Sequence, residues 1–181
     1  MAQSALILMG LKHSGKTSLG RRLATDLELG FVDLDDVIES LYTDGSLSCR
    51  EIYLRRGREF FLDLEARAAG RVKQKILLGG AVLSLGGGAG ENPAAMAHLQ
   101  TAGLRIYLHD DEEHLFTRIV GGGSPAFLPK HNRAKAFHEI YTRRNELYMA
   151  FADAVVTIDG GSLDQAYSLL LATTLELMDA R

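Results

Sequence analysis

Residues 10–17 read GLKHSGKT and decide the fold class, because they match the pattern G-x-x-x-x-G-K-[ST] in full. The stretch follows an apolar run over residues 4–10 and precedes a helical period over residues 16–29. A glycine-rich turn between a buried strand and a helix lets successive backbone N–H groups point at phosphate oxygens. The sequence therefore predicts an α/β fold of the P-loop NTPase type that binds a nucleoside triphosphate.

Each residue type in this loop has a chemical task. Gly10 and Gly15 let the backbone curl, Lys16 reaches the β- and γ-phosphates, and the Thr17 hydroxyl is a ligand for Mg²⁺. The predicted nucleotide-binding residues of the loop are Gly10, His13, Ser14, Gly15, Lys16, Thr17 and Ser18. The alternative interpretation is a strand-to-helix turn that carries a lysine by accident.

Outward from the loop, short apolar runs alternate with longer helical ones. Further strands are predicted at 30–35, 81–85, 104–108 and 154–158. Helices are predicted at 36–42, 58–77, 92–100, 110–120, 133–152 and 163–179, with Ser48 as the cap of another. Strands separated by helices favour a parallel sheet with helices on both faces. The glycine- and proline-containing segment 120–131 is either a flap that opens and closes or a plain surface loop.

Composition narrows the class of protein. The chain has 181 residues, of which 46% are hydrophobic, and this indicates a single globular domain. Its formal net charge of −3 excludes a generic binder of nucleic acids or other polyanions but leaves a local basic patch open. The one cysteine, Cys49, excludes an intrachain disulfide and a cysteine-based zinc site. No apolar run approaches the roughly 18 residues of a membrane span, and no signal peptide is visible. We expect a cytoplasmic monomer with no membrane partner.

Three acids lie at the end of the second predicted strand. Alternation along residues 30–35 puts Asp33 and Asp35 on one side, and ligands of open α/β sheets bind at the carboxyl ends of the strands. Asp33 could therefore hold Mg²⁺, and Asp35 could orient an acceptor hydroxyl or take its proton. The alternative is that Asp35 or Asp36 caps the helix that begins at Val37.

Other patterns carry less weight. The glycines of 86–90 do not form a dinucleotide-binding fingerprint, because Glu91 stands at the last glycine position. The histidines lack zinc-site spacing, and the run HDDEEH at 109–114 is typical of an exposed acidic helix start.

Taken together, four stretches resemble the shikimate kinase family. They are the loop 10–17, FVDLD at 31–35, the strand that runs into Gly86-Gly87-Gly88, and RNELY at 144–148. The resemblance implies a three-layer fold like that of the nucleoside-monophosphate kinases, with five parallel strands in the order 2-3-1-4-5. It implies one domain over 1–181, with a substrate-binding region at about 35–65 and a lid at about 120–131.

The resemblance also implies an activity, namely phosphorylation by ATP and Mg²⁺ of a ring hydroxyl of shikimate, a small carboxylic acid, in aromatic amino acid biosynthesis. Asp33 would be the acid on the magnesium side, and Asp35 would hold the acceptor hydroxyls. Gly87 and Gly88 would offer backbone to the substrate, and Arg144 would pair with its carboxylate. Arg118 looks like the family's arginine near adenine.

The departures from the family concern the substrate. Leu62 stands where the family has a second arginine for the carboxylate, and Ser124 stands at the place of the lid arginine. We predict that Arg58, four residues before Leu62, supplies the missing guanidinium. Lid charge could come from Lys12, Lys130 or Arg133. The alternatives are a kinase for another small hydroxy acid or polyol, and a nucleotide-binding regulatory module without efficient transfer.

Overall fold

The computed structural model describes residues 5–121, 128–129 and 131–180. Five strands lie within these ranges: β1 Leu6–Met9, β2 Gly30–Asp33, β3 Ala81–Ser84, β4 Leu104–His109 and β5 Ala154–Thr157. The helices are α1 Lys16–Asp26, α2 Leu34–Leu41, α3 Cys49–Arg56, α4 Arg58–Gly79, α5 Pro93–Leu99, α6 Glu112–Gly121, α7 Arg133–Phe151 and α8 Leu163–Asp179. A short 3₁₀ turn spans Ala89–Glu91.

All strand pairings are parallel, in the order β2-β3-β1-β4-β5, as expected from the family resemblance. The central strand β1 is completely buried, which explains why its sequence is apolar at every position rather than alternating. Leu6 and Leu8 pack in a cluster with residues of α1 and α8, whereas Ile7 and Met9 pack in a second cluster with residues of α2, α4 and α7. The fold therefore has three layers, with helices on both faces of the sheet.

Local capping signals set several helix boundaries. Ser48 and Glu51 form the predicted capping box at the start of α3, and Asn92 caps α5 with Pro93 at its first position. Of the predicted lid at 120–131, residues 122–127 and 130 lie outside the described residues, and these include Ser124 and Lys130.

Several boundaries differ from the sequence prediction by one to three residues, and the one that bears on the site lies between β2 and α2. β2 ends at Asp33 rather than at residue 35, because Asp33 is the N-cap of α2 and its side chain accepts a hydrogen bond from the Asp35 backbone N–H. The predictions that Asp35 lies on the strand and that Asp35 or Asp36 is the cap are therefore wrong. Asp35 occupies the first turn of α2 instead.

In the described part of the chain, no helix is long and apolar enough to cross a lipid bilayer.

Candidate active site

The loop at residues 10–17 has the tight, left-handed backbone that its glycines predict. Gly15 has φ +85°, and a Cβ on Gly10 would lie 2.7 Å from the Leu108 carbonyl oxygen. His13 also has a positive φ, of 67°, although it carries a side chain. A left-handed conformation is unfavourable for such a residue, which explains why a glycine would suit this position.

Lys16 closes the loop from inside. Its ammonium donates hydrogen bonds to the Leu11 carbonyl at 2.7 Å and to the Ser14 hydroxyl at 3.4 Å. Burial lowers the pKa of Lys16 to about 8, although the carboxylates of Asp35 and Asp33 oppose the shift. At neutral pH the group therefore remains mostly protonated, at the place where the loop would hold phosphate.

Asp33 joins the loop to the second strand. Its Oδ2 accepts a hydrogen bond from the Thr17 hydroxyl at 3.0 Å, while its Oδ1 caps α2. A carboxylate and a hydroxyl side by side fit Mg²⁺, which prefers oxygen and takes most of its ligands from water and phosphates. Among the described residues, no three side chains of the His, Cys, Asp and Glu types come together as a metal cluster.

Asp35 faces the same place from α2. A Cβ on Gly86 would lie only 2.7 Å from its Oδ1, so the carboxylate packs directly against the backbone that follows β3. Burial and the negative charge of Asp33 raise the pKa of Asp35 to about 6, against the opposing charge of Lys16. A carboxylate with this pKa can accept a proton near neutral pH.

The three glycines after β3 each meet a different part of the site. Gly86 lies against Asp35, a Cβ on Gly87 would come 2.7 Å from the Lys12 backbone nitrogen, and a Cβ on Gly88 would come 3.2 Å from Arg144. A side chain at Gly87 would collide with backbone, whereas one at Gly86 or Gly88 would displace the end of a neighbouring side chain. The predicted residues Gly87, Gly88 and Arg144 are thus brought together with Asp35 and the phosphate loop.

Arg144 reaches this glycine turn from α7. Its Nη1 donates to the Gly87 carbonyl at 2.9 Å, and its Nε donates to Glu91 at 2.8 Å. Tyr148, one turn later on α7, is fully buried and donates to the Gly86 carbonyl. The sequence assigned no role to Glu91, because its only recognisable feature there is a mismatch to the dinucleotide-binding fingerprint.

The sequence also left Glu65, a buried acid of α4, without an assigned role. Glu65 is 4% exposed, and its carboxylate accepts a hydrogen bond from the Asn92 amide at 2.8 Å. Burial raises the pKa of Glu65, although the Asn92 hydrogen bond opposes the shift. The sequence signals were a glutamate within the apolar period of α4 and its place as the last residue of GREFFLDLE at 57–65, which resembles the family pattern G-x-x-x-F-R-x-x-E.

Arg118 lies on the other side of the loop, and a buried acid holds it there. Asp110 has no exposed surface and accepts from Arg118 at 2.6 Å and from the Gly160 backbone N–H at 3.2 Å. The same Arg118 nitrogen lies 3.3 Å from the His13 carbonyl. The expectation that 109–114 is simply an exposed acidic start is therefore wrong for Asp110, which is buried in contact with Arg118 of α6 and with Gly160 in the turn between β5 and α8.

A cleft of about 260 Å³ opens beside this arginine. Its lining comprises His13, Ser14, Leu19, Arg118, Ile158, Gly161, Leu163 and Ala166. The mixture of apolar side chains with one guanidinium suits a flat aromatic ring. The cleft lies next to the phosphate loop, where the base of a bound nucleotide would extend.

The comparisons with known proteins agree with this geometry. The family model described as shikimate kinase matches residues 12–174. The chain belongs to the shikimate kinase family. Relatives named shikimate kinase include one from Chlamydia pneumoniae, 35% identical over 85% of this chain and 86% of that protein. Another, from Persephonella marina, is 32% identical over 92% of this chain and 96% of that protein.

Solved structures give the same fold. A shikimate kinase from Acinetobacter baumannii in complex with shikimate superimposes with a TM-score of 0.83 at 24% identity, covering 98% of this chain and 94% of that one. A shikimate kinase from Bacteroides thetaiotaomicron gives a TM-score of 0.78 at 23% identity, covering 97% of this chain and 98% of that one.

Within this shikimate kinase fold, the position of the missing arginine is apolar. Leu62 is half-buried on α4, and its carbonyl accepts a hydrogen bond from Asn92. Arg58 is exposed in the first turn of α4, and none of the ion pairs between described residues involves it. Its role as a replacement therefore stays a prediction. Lys12 and Ser18 are exposed on the loop and its helix, and Arg133 is half-buried at the start of α7.

The two oxygens of Asp33 predict different effects of two substitutions. Asp33→Ala removes the cap of α2 and should lower the free energy of unfolding by about 1 kcal/mol in urea titrations. Asp33→Asn keeps a capping oxygen and should leave stability nearly unchanged. Both variants should weaken Mg·ATP binding in calorimetry, because both lack the charge. Equal destabilisation by the two variants would contradict the capping assignment.

The burial of Asp110 predicts that it positions Arg118. Asp110→Asn should weaken Mg·ATP binding roughly threefold to tenfold, because Arg118 loses its charged partner beside the cleft. The matched control is Asp111→Asn, which removes the same charge from the exposed neighbour and should bind as the parent chain does. Calorimetric titration of both variants measures the difference, and an unchanged affinity of Asp110→Asn would refute the assignment.

Proposed function

We propose that this chain is an ATP-dependent kinase that phosphorylates a ring hydroxyl of shikimate. Family membership supports the activity, and a relative of the same fold carries shikimate in its structure. The observation that carries the proposal is the convergence of Lys16, Asp33 and Asp35 at one end of the sheet, with Arg144 across the glycine turn. We call the part of the site around residues 10–17 the phosphate end, and the part around Asp35 and Arg144 the acceptor end.

At the phosphate end, the backbone N–H groups of residues 10–17 and the ammonium of Lys16 would hold the triphosphate. Thr17 and Asp33 are the residues that would hold Mg²⁺, which supplies neutralisation of phosphate charge when bound. Arg118 and the cleft beside it would receive the adenine. His13, Ser14 and Ser18 complete the proposed nucleotide-binding set.

At the acceptor end, Asp35 would orient the hydroxyl. The hydroxyl oxygen attacks the γ-phosphorus, its proton passes to the Asp35 carboxylate, and the bond from the γ-phosphorus to the bridging oxygen breaks to release ADP. Lys16 would stabilise the charge that develops on the transferred group. Phosphoryl transfer needs little beyond such positioning and charge neutralisation, so these few side chains suffice.

Binding of the acceptor carboxylate would fall to Arg144, with Gly87 and Gly88 beside it and Arg58 as the second candidate. The substrate-binding region would extend over about 35–65 and the lid over about 120–131, within one domain of residues 1–181. We further propose that the protein acts as a monomer in the cytoplasm, where ATP is supplied, on a small carboxylate-bearing polyol and in the biosynthesis of aromatic amino acids.

A coupled ADP-release assay tests the function. With Mg·ATP, shikimate should give rapid turnover, whereas other hydroxy acids should give little. Lys16→Ala should lower kcat/KM by roughly a hundredfold or more, because it removes the charge at the transferred group. Lys75→Ala, on the exposed face of α4, is the matched control and should leave the rate unchanged. Faster turnover with a different acceptor, or ATP binding with no acceptor-dependent turnover, would refute the proposal.

The two shifted pKa values predict a bell-shaped pH profile of kcat/KM. Asp35, whose pKa is raised to about 6, must be ionised to take the proton, so activity should fall as pH drops through about 6. Lys16, whose pKa is lowered to about 8, loses its charge above that pH, so activity should fall again. Asp35→Asn should lower kcat roughly a hundredfold and abolish the acid limb. An acid limb that survives in Asp35→Asn would show that another group titrates.

A further inference from the structure

The carboxylate of Glu91 lies between two neighbouring arginines of α7. Its Oε1 is 2.6 Å from both Nε and Nη2 of Arg143. Its Oε2 is 2.8 Å from Nε and 2.7 Å from Nη2 of Arg144. Each carboxylate oxygen thus contacts the edge formed by Nε and Nη2 of one of the two guanidinium groups. The Arg144 side chain is 15% exposed and that of Arg143 is 54% exposed, so the Arg144 contact is the less screened of the two.

The backbone places this carboxylate at the acceptor site. Glu91 ends the 3₁₀ turn that follows Gly88, and its N–H donates to the Gly88 carbonyl at 3.0 Å. Arg144 lies over Gly88 and donates to the Gly87 carbonyl. Two adjacent N–H groups on one edge of a guanidinium are the geometry that binds a carboxylate. Glu91 therefore occupies, on Arg144, an edge of the kind that a substrate carboxylate would use.

The surroundings favour an ionised Glu91. Burial disfavours its charge, but Arg144 and Arg143 more than offset this and lower the pKa of Glu91. Glu65 lies close enough to Arg144, Asp35 and Glu91 to interact electrostatically with all three. Leu62 adds no charge to this side of the pocket. The acids Asp35, Glu65 and Glu91 are thus grouped on the side of the site where Arg144 would bind an acid.

We propose that Glu91 is a built-in competitor for the carboxylate-binding edge of Arg144, and that it sets how strongly the enzyme prefers acidic over uncharged acceptors. The inference rests on the proposed function, in which Arg144 binds the carboxylate of shikimate. When shikimate binds, Glu91 gives up its contact with Arg144 and keeps its contact with Arg143. Arg143 thus has a task as well, because it retains the displaced carboxylate.

The test compares shikimate with its uncharged methyl ester as acceptors. Glu91→Gln keeps the size and a hydrogen-bonding oxygen but removes the charge. It should lower the KM for shikimate roughly fivefold and leave kcat within about twofold, because the competing ion pair is lost. The KM for the methyl ester should stay unchanged. A structural effect would alter both acceptors alike, so the ratio of the two KM values isolates the electrostatic role.

A second variant should act in the opposite direction. Arg143→Gln leaves Glu91 with Arg144 as its remaining arginine, so the KM for shikimate should rise roughly threefold or more. The matched control is Glu146→Gln, which removes a negative charge from an exposed position on the same helix and should change neither KM. Urea unfolding of each variant checks that it folds, and Arg143→Gln decides the question by itself if Glu91→Gln does not fold.

The outcomes separate this inference from the proposed function. Turnover of shikimate by the parent chain, with a KM that Glu91→Gln leaves unchanged or raises, overturns the competitor role and leaves the function intact. Equal changes in KM for the acid and the ester overturn it too. If the parent chain neither turns over shikimate nor binds it in calorimetry, both the function and the inference fail.

Discussion

The close approach of two backbones holds this site together. The turn after β3 presses against the phosphate loop at Gly87, where even a methyl group would lie 2.7 Å from the Lys12 backbone nitrogen. Because β1 and β3 are hydrogen-bonded neighbours, the residues that follow them leave the sheet side by side. Gly86 then meets Asp35 and Gly88 meets Arg144, so one contact fixes the distance between the phosphate end and the acceptor end.

At the phosphate end, the pKa of Lys16 is set by two opposing effects, the burial of its ammonium and the nearby carboxylates. Desolvation lowers the pKa of the Lys16 ammonium, and the two carboxylates of Asp33 and Asp35 raise it again. The same crowding keeps the Asp35 carboxylate easy to protonate. A lysine and an aspartate whose pKa values move toward neutrality are suited to stabilise charge and to exchange a proton. Their mutual burial supplies the chemistry that neither residue has in water.

The acceptor end differs from the phosphate end in its charge. Glu65 interacts electrostatically with Arg144, Asp35 and Glu91, and Glu91 is also bound to Arg144 directly. The family resemblance leads one to expect two further arginines, and this sequence has Leu62 and Ser124 at those places. The sequence therefore lacks two expected positive groups, and Glu91 places a negative charge directly on Arg144. We expect this change to affect selectivity for the acceptor, because Leu62 stands at a position whose family arginine binds the substrate carboxylate.

The sequence alone determined the parts whose cause is local. The phosphate loop could be predicted because all of its residues lie within 10–17, where their spacing fixes the turn. The capping box of Ser48 and Glu51 could be predicted because it forms within one helical turn. The strand order followed from the family resemblance rather than from periodicity. Periodicity did miss the end of β2, since Asp33 stops the strand by capping α2.

Only the tertiary structure decided the roles of Glu91 and Asp110. Glu91 meets an arginine 53 positions away, and Asp110 meets a backbone N–H 50 positions away, so no pattern within one element marks either acid. The physical reason is that a charge acquires its role from what surrounds it after folding. The sequence by itself shows the phosphate-loop pattern, but the packing of α7 on the glycine turn decides which charges lie beside Gly87 and Gly88.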